Sequence, residues 1–169
     1  VVLTMDPGIA FGTGTHDTTR LCMQLLEKYA APGVKLLDVG TGSGILAVAA
    51  LLLGADSAVG VDIDEVAVRV AKENAAANGV GDRAAFLAGD LADRVDGRFA
   101  VVTANIVADI ILRLIPDLGR FLEPGGVFIA SGIIDTREAD VVSALEGAGY
   151  RLADRRESGG WVALAAVRG

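Results

Sequence analysis

A chain of 169 residues, 52% hydrophobic and with mean hydropathy +0.50, is long enough for one well-packed domain. Its net charge of −7 argues against holding a long nucleic acid by its surface, which calls for a basic footprint. The single cysteine, Cys22, excludes an intrachain disulfide and fits a reducing cytoplasm; no apolar run reaches the roughly 18 residues of a membrane helix, and no signal-peptide pattern opens the chain.

The first segment, Asp6 to Thr19, is rich in glycine and threonine, and Gly8, Gly12 and Gly14 suit a lid over a bound ligand. It leads into a helix over Arg20–Tyr29, with Thr15 or Asp17 as candidate N-cap. Cys22 lies there among Leu21, Met23, Leu25 and Leu26, the place of a small core residue. Strand-like runs fall at about 34–39, 58–62, 84–88, 99–104 and 126–131, and helical patterns at 44–54, 65–78, 107–121 and 135–148. Asn78-Gly79 closes the second of those helices. Arg151–Glu157 and Trp161–Val167 flank Ser158-Gly159-Gly160, a hairpin signal, with Trp161 packing in the hairpin. The alternation predicts an α/β domain over 1–169: a doubly wound, mostly parallel seven-stranded sheet with a C-terminal antiparallel hairpin. Residues 1–30 are expected to form a loop and helix over the ligand, and 31–169 the core.

Leu36-Leu37-Asp38-Val39-Gly40-Thr41-Gly42-Ser43-Gly44 joins a strand to a helix through a glycine-dense turn. The next strand ends in Val61-Asp62-Ile63-Asp64. A carboxylate there can accept hydrogen bonds from both ribose hydroxyls, and Asp62 lies some 22 residues past Gly40, near the roughly 20 expected of a nucleoside-reading acid. Gly40, Gly42, Gly44, Asp62 and its neighbour Ile63 are therefore cofactor-binding candidates. The third glycine of a dinucleotide loop would fall at Ile45. Asp38, just before the loop, would repel the phosphates of NAD or FAD but suits a cationic amino acid end. This favours S-adenosylmethionine, with S-adenosylhomocysteine as product, over a dinucleotide. Asp38 has an alternative role capping a nearby backbone amide. Asp90, in Ala88-Gly89-Asp90, either accepts the adenine amino group or simply belongs to a turn. Asp38, Asp62, Asp90 and Asn105 all fall at or past strand ends, so they should share one cleft.

Asn105 opens Asn105-Ile106-Val107-Ala108 after the fourth strand. Its side-chain oxygen can accept from an amine and so aim the nitrogen lone pair. No Pro-Pro-aromatic run follows to stack on a base, so an aliphatic amine fits better. His16, the only histidine, is either a proton acceptor near the cleft or a loop residue without a tuning partner. No metal site is expected.

Asp6-Pro7-Gly8-Ile9-Ala10-Phe11-Gly12-Thr13-Gly14-Thr15-His16, then Thr18-Thr19, the Asp38–Ala47 loop, Asp62-Ile63-Asp64 and Ala104-Asn105-Ile106 together resemble the PrmA family. The resemblance covers nearly the whole chain. It implies a Rossmann-like class I methyltransferase acting on lysine and N-terminal amines of the eleventh large-subunit ribosomal protein. It also implies cofactor contacts at Thr19, Gly40, Asp62 and Asn105, with Phe11 near the methyl group as a catalytic candidate beside Asn105. Family members carry an N-terminal substrate-recognition domain and linker, which this chain, opening at Val1 without methionine, lacks. A fragment, or a relative with another protein substrate, is expected. Membrane and long nucleic-acid partners are not. The alternatives are methylation of RNA or a small amine, or a non-catalytic cofactor-binding module.

Overall fold

In the strand Lys35–Val39 (β1), Leu36 and Leu37 are both fully buried but join hydrophobic clusters on opposite faces of the sheet. A strand apolar in both directions belongs at the centre of a parallel sheet covered on both sides. The computed structural model describes residues 17–169 and places β1 there. The other strands are Ser57–Asp62 (β2), Ala84–Ala88 (β3), Phe99–Asn105 (β4), Leu122–Ile134 (β5), Tyr150–Ser158 (β6) and Trp161–Arg168 (β7). Their order is β3-β2-β1-β4-β5-β7-β6, parallel from β3 to β5, with β7 antiparallel to both neighbours. This is the doubly wound seven-stranded sheet expected from the sequence, hairpin included.

Asp17–Tyr29 (α1), Ile45–Leu52 (α2) and Glu65–Ala77 (α3) cover one face; Ala108–Leu114 (α4) and Glu138–Gly147 (α5) cover the other. Helix α2 is apolar all round and buried from Ile45 to Leu51, because α1 and α3 flank it. Helix α3 starts at Asp64, whose carboxylate accepts from the Val66 amide at 2.9 Å, and ends at Asn78 before a left-handed Gly79. Cys22 is fully buried; burial and the nearby Asp38 charge push its thiol well above the usual range. Trp161 opens β7 and packs partly buried against the core.

Four elements depart most from expectation. Helix α1 starts at Asp17, so Asp17 is a first-turn acid, not its N-cap, and Thr19 is helical; Thr15 lies outside the described residues. The helix expected over 107–121 stops at Leu114 and tightens into a 3₁₀ turn carrying Pro116, whose ring and missing N–H bar a continuous α-helix. The 135–148 segment begins with another 3₁₀ turn before α5. Strand β5 outruns the expected 126–131 at both ends. Among the described residues no helix is long and apolar enough to cross a membrane.

Candidate functional site

Strand order reverses between β1 and β4, and the chain leaves these two strands toward opposite faces. The crevice this opens beyond the carboxyl ends of the strands is where ligands bind in doubly wound sheets. A cavity of about 460 Å³ lies there, in the range of small-ligand sites. Asp38, Asp62, Asp90 and Asn105 all line it, as do Thr19, Gly40, Gly42 and Ile63. Gly44 does not. At φ +81° its missing side chain faces α3, where a Cβ would lie 2.9 Å from that of Ala71, so this glycine lets two helices close together. Phe11 and His16 lie outside the described residues.

Asp38 sits on β1 directly across from Thr103 of β4. Its two oxygens accept from the Thr103 hydroxyl at 2.7 Å and the Thr41 hydroxyl at 2.8 Å. The capping alternative therefore gives way to a carboxylate held by hydroxyls. Burial pushes its pKa up to about 6, against the two threonine bonds that lower it, with Asp62 adding a further push upward. It remains predominantly ionised at pH 7.

Asp62 organises the glycine loop. One of its oxygens accepts from the Gly42 amide at 2.9 Å, the other from the Asp64 amide at 2.9 Å. The amides of Gly40 and Thr41 both donate to the Val61 carbonyl at 2.8 Å, and that of Gly44 to Thr41 at 2.9 Å. A phosphate cradle needs such amides pointing outward. Here these four are engaged inside the protein. Gly40 also passes so close to the β4–α4 loop that a Cβ would meet the Ile106 side chain at 2.6 Å.

Asn105 ends β4 and donates from Nδ2 to the Thr19 hydroxyl at 3.1 Å. This ties the first turn of α1 to the crevice. Ile106, Val107 and Ile110 form an apolar lip, and Val107 is 63% exposed. Ile63, 76% exposed, also lines the cavity. Asp90 stands half-exposed at the rim, 3.6 Å from Arg113 of α4. Next to it Leu91 lines the cavity with φ +51°, a left-handed backbone that a γ-branched residue adopts only under local constraint.

Sequence reasoning passed over Thr41, Thr103, Leu91 and Arg113. The threonine at 103 carried a signal, since a polar residue interrupts the buried run Val101-Val102-Thr103-Ala104 as Asp38 interrupts its own. Leu91 and Arg113 carried none that pattern alone would reveal.

The chain matches, over residues 1–169, the family model described as ribosomal protein L11 methyltransferase (PrmA). It is 55% identical over 98% of its length to a ribosomal protein L11 methyltransferase of Pelotomaculum thermopropionicum, and 49% identical over 98% to one of Desulfitobacterium hafniense. It covers 54% and 53% of those two proteins, so it spans about half the length of the curated relatives it matches. A crystal structure of a ribosomal protein L11 methylase from Lactobacillus delbrueckii subsp. bulgaricus superposes with TM-score 0.92 at 40% identity, over 97% of this chain and 83% of that one. With a Rossmann-like sheet, a ligand crevice at its switch point and these relatives, the chain belongs to the PrmA family of ribosomal protein L11 methyltransferases.

Proposed function

We propose that this domain binds S-adenosylmethionine and methylates lysine and α-amino nitrogens of a large-subunit ribosomal protein, in the cytoplasm. The observation carrying this reading is the charge of the crevice. Among the described residues three carboxylates, Asp38, Asp62 and Asp90, line it against one guanidinium, Arg113, which pairs with Asp90 at the rim. That balance favours a cation and disfavours a pyrophosphate, as do the inward-turned loop amides. The volume suits one nucleoside with an amino acid tail.

Bound in the crevice, adenosylmethionine supplies an electrophilic methyl group. Asp38 would face the ammonium of its amino acid end, and Asp62 would accept the ribose hydroxyls on the lone pairs its two amide bonds leave unused. Ile63 and Leu91 offer apolar surface for the base, with Asp90 in reach of its amino group. With its Nδ2 held by Thr19, Asn105 presents Oδ1 to an incoming amine and orients the lone pair. A lysine must first shed a proton from a group whose ordinary pKa is about 10.4. The apolar lip of Ile106, Val107 and Ile110 assists by disfavouring the ammonium form. On the family pattern, Phe11 is assigned a place near the methyl group.

Calorimetry and a label-transfer assay test this reading. Adenosylmethionine should bind and NADH should not, and Asp62→Ala should weaken binding at least about tenfold, the loss of a charged hydrogen-bond acceptor and of the loop anchor. A change within a factor of two would remove Asp62 from the site. Methyl-labelled cofactor incubated with large-subunit ribosomal components should mark one basic protein. Label in RNA, or label nowhere despite binding, would replace the reading with an RNA methyltransferase or a binding module.

A further inference from the structure

Strand β5 carries an irregularity beside the crevice. Its pairing with β7 runs to Ala130↔Leu164 and resumes at Ile133↔Val162, so Ser131 and Gly132 together oppose Ala163. Two residues facing one form a β-bulge, which bends a strand and re-aims its side chains. At Gly132, φ is +84° and a Cβ would lie 2.6 Å from the Ile106 carbonyl oxygen. The bulge is thus the seat on which the backbone following Asn105 rests.

Ser131 is fully buried and lines no part of the cavity. Its hydroxyl donates to the Thr18 carbonyl at 2.7 Å, and its own carbonyl accepts from the Ile106 amide at 3.1 Å. Asn105, adjacent to Ile106, donates in turn to Thr19, adjacent to Thr18. These three bonds close a ring through the first turn of α1, the end of β4 and the bulge of β5. We propose that Ser131 is a positioning residue: through Thr18 it holds Thr19 against Asn105, and so sets the direction in which the Asn105 oxygen meets the substrate amine. The turnover part of this inference rests on the methyltransferase reading; the contact itself does not.

Proximity effects are steep, since a displacement of about 1 Å can lower a rate about a hundredfold. In the protein without cofactor, Ser131→Ala should shift the Asn105 side-chain amide resonance, identified by its absence from Asn105→Ala, and speed its hydrogen exchange several-fold. Ser131→Cys, nearly isosteric but a poor donor, should do the same and serves where the alanine variant folds poorly. With cofactor and substrate, Ser131→Ala should lower kcat about tenfold in the wild-type background, but less than about twofold on top of Asn105→Ala. A merely structural role would give equal losses in both backgrounds. An unmoved Asn105 amide in a folded variant, or kcat losses that multiply, overturns the proposal. If the parent transfers no methyl at all, the functional reading fails, and the resonance measurement still decides the contact.

Discussion

A carboxylate between two threonine hydroxyls inside a sheet feels opposing pulls. For Asp38 burial wins over its Thr41 and Thr103 bonds and lifts the pKa from about 3.8 to about 6. Between those values the folded state holds a proton that the unfolded chain has released, so stability falls as pH rises through this window. The difference of two units or so corresponds to about 3 kcal/mol, present in full at low pH and lost above pH 6. Asp38→Asn keeps the shape and removes the charge; either threonine hydroxyl can rotate to accept from the new amide. Urea melts from pH 4 to pH 7 should therefore show wild type losing about 2 kcal/mol relative to the variant, since part of the effect lies below pH 4, and parallel curves would refute the burial argument. Binding of adenosylmethionine should move oppositely, strengthening as Asp38 ionises near pH 6, with that dependence gone in Asp38→Asn. A site that prefers a cation thus accepts a penalty in stability at neutral pH.

At the scale of elements, the glycine loop divides into two jobs that its even spacing hides. Gly40 clears Ile106 at the crevice, whereas Gly44 clears Ala71 and lets α2 close on α3. Gly44→Ala combines a left-handed backbone with a contact at 2.9 Å, each costing about 1–3 kcal/mol. Denaturant unfolding should show a loss of about 2–6 kcal/mol, while calorimetry on the folded variant should find cofactor affinity within about threefold of the parent. A large affinity loss with little destabilisation would return Gly44 to the ligand site. The strands were legible because β1 to β4 are short apolar runs ending at glycine or a polar residue, and the carboxylates at their ends mark the crevice without any knowledge of packing. Register was not legible. That Asp38 faces Thr103, and that Ser131 and Gly132 share one partner, depends on which residues lie opposite in neighbouring strands. Strand β5 outran its pattern because Leu122 pairs with Phe99 ahead of Pro124-Gly125-Gly126, which in sequence reads as a turn. Pro116 was a legible stop inside 107–121, outweighed there by the apolar periodicity on either side.

For the whole molecule, charge supplies the argument about partners. An excess of acids over bases gives −7, and carboxylates stay exposed around the crevice and the adjoining α4 and α5 starts, Asp90 and Asp109 paired with Arg113 and Arg137 and Asp135 beside them. Such a field repels RNA phosphates and attracts a lysine-rich protein, and it acts over a Debye length of about 10 Å at 0.1 M salt but only about 3 Å at 1 M. Contacts inside the crevice are shielded from that screening because Asp38 is buried and Asp62 half-buried. Raising salt from about 0.05 M to about 0.5 M should therefore increase KM for a basic ribosomal protein several-fold. The affinity for adenosylhomocysteine, which carries no net charge, should change less than about twofold over the same range. The two measurements separate surface attraction from the site itself. If KM stays level while the protein is still methylated, then the exposed apolar lip of Val107 and Ile63, not charge, captures the substrate, and Val107→Asp should then abolish turnover that salt leaves untouched.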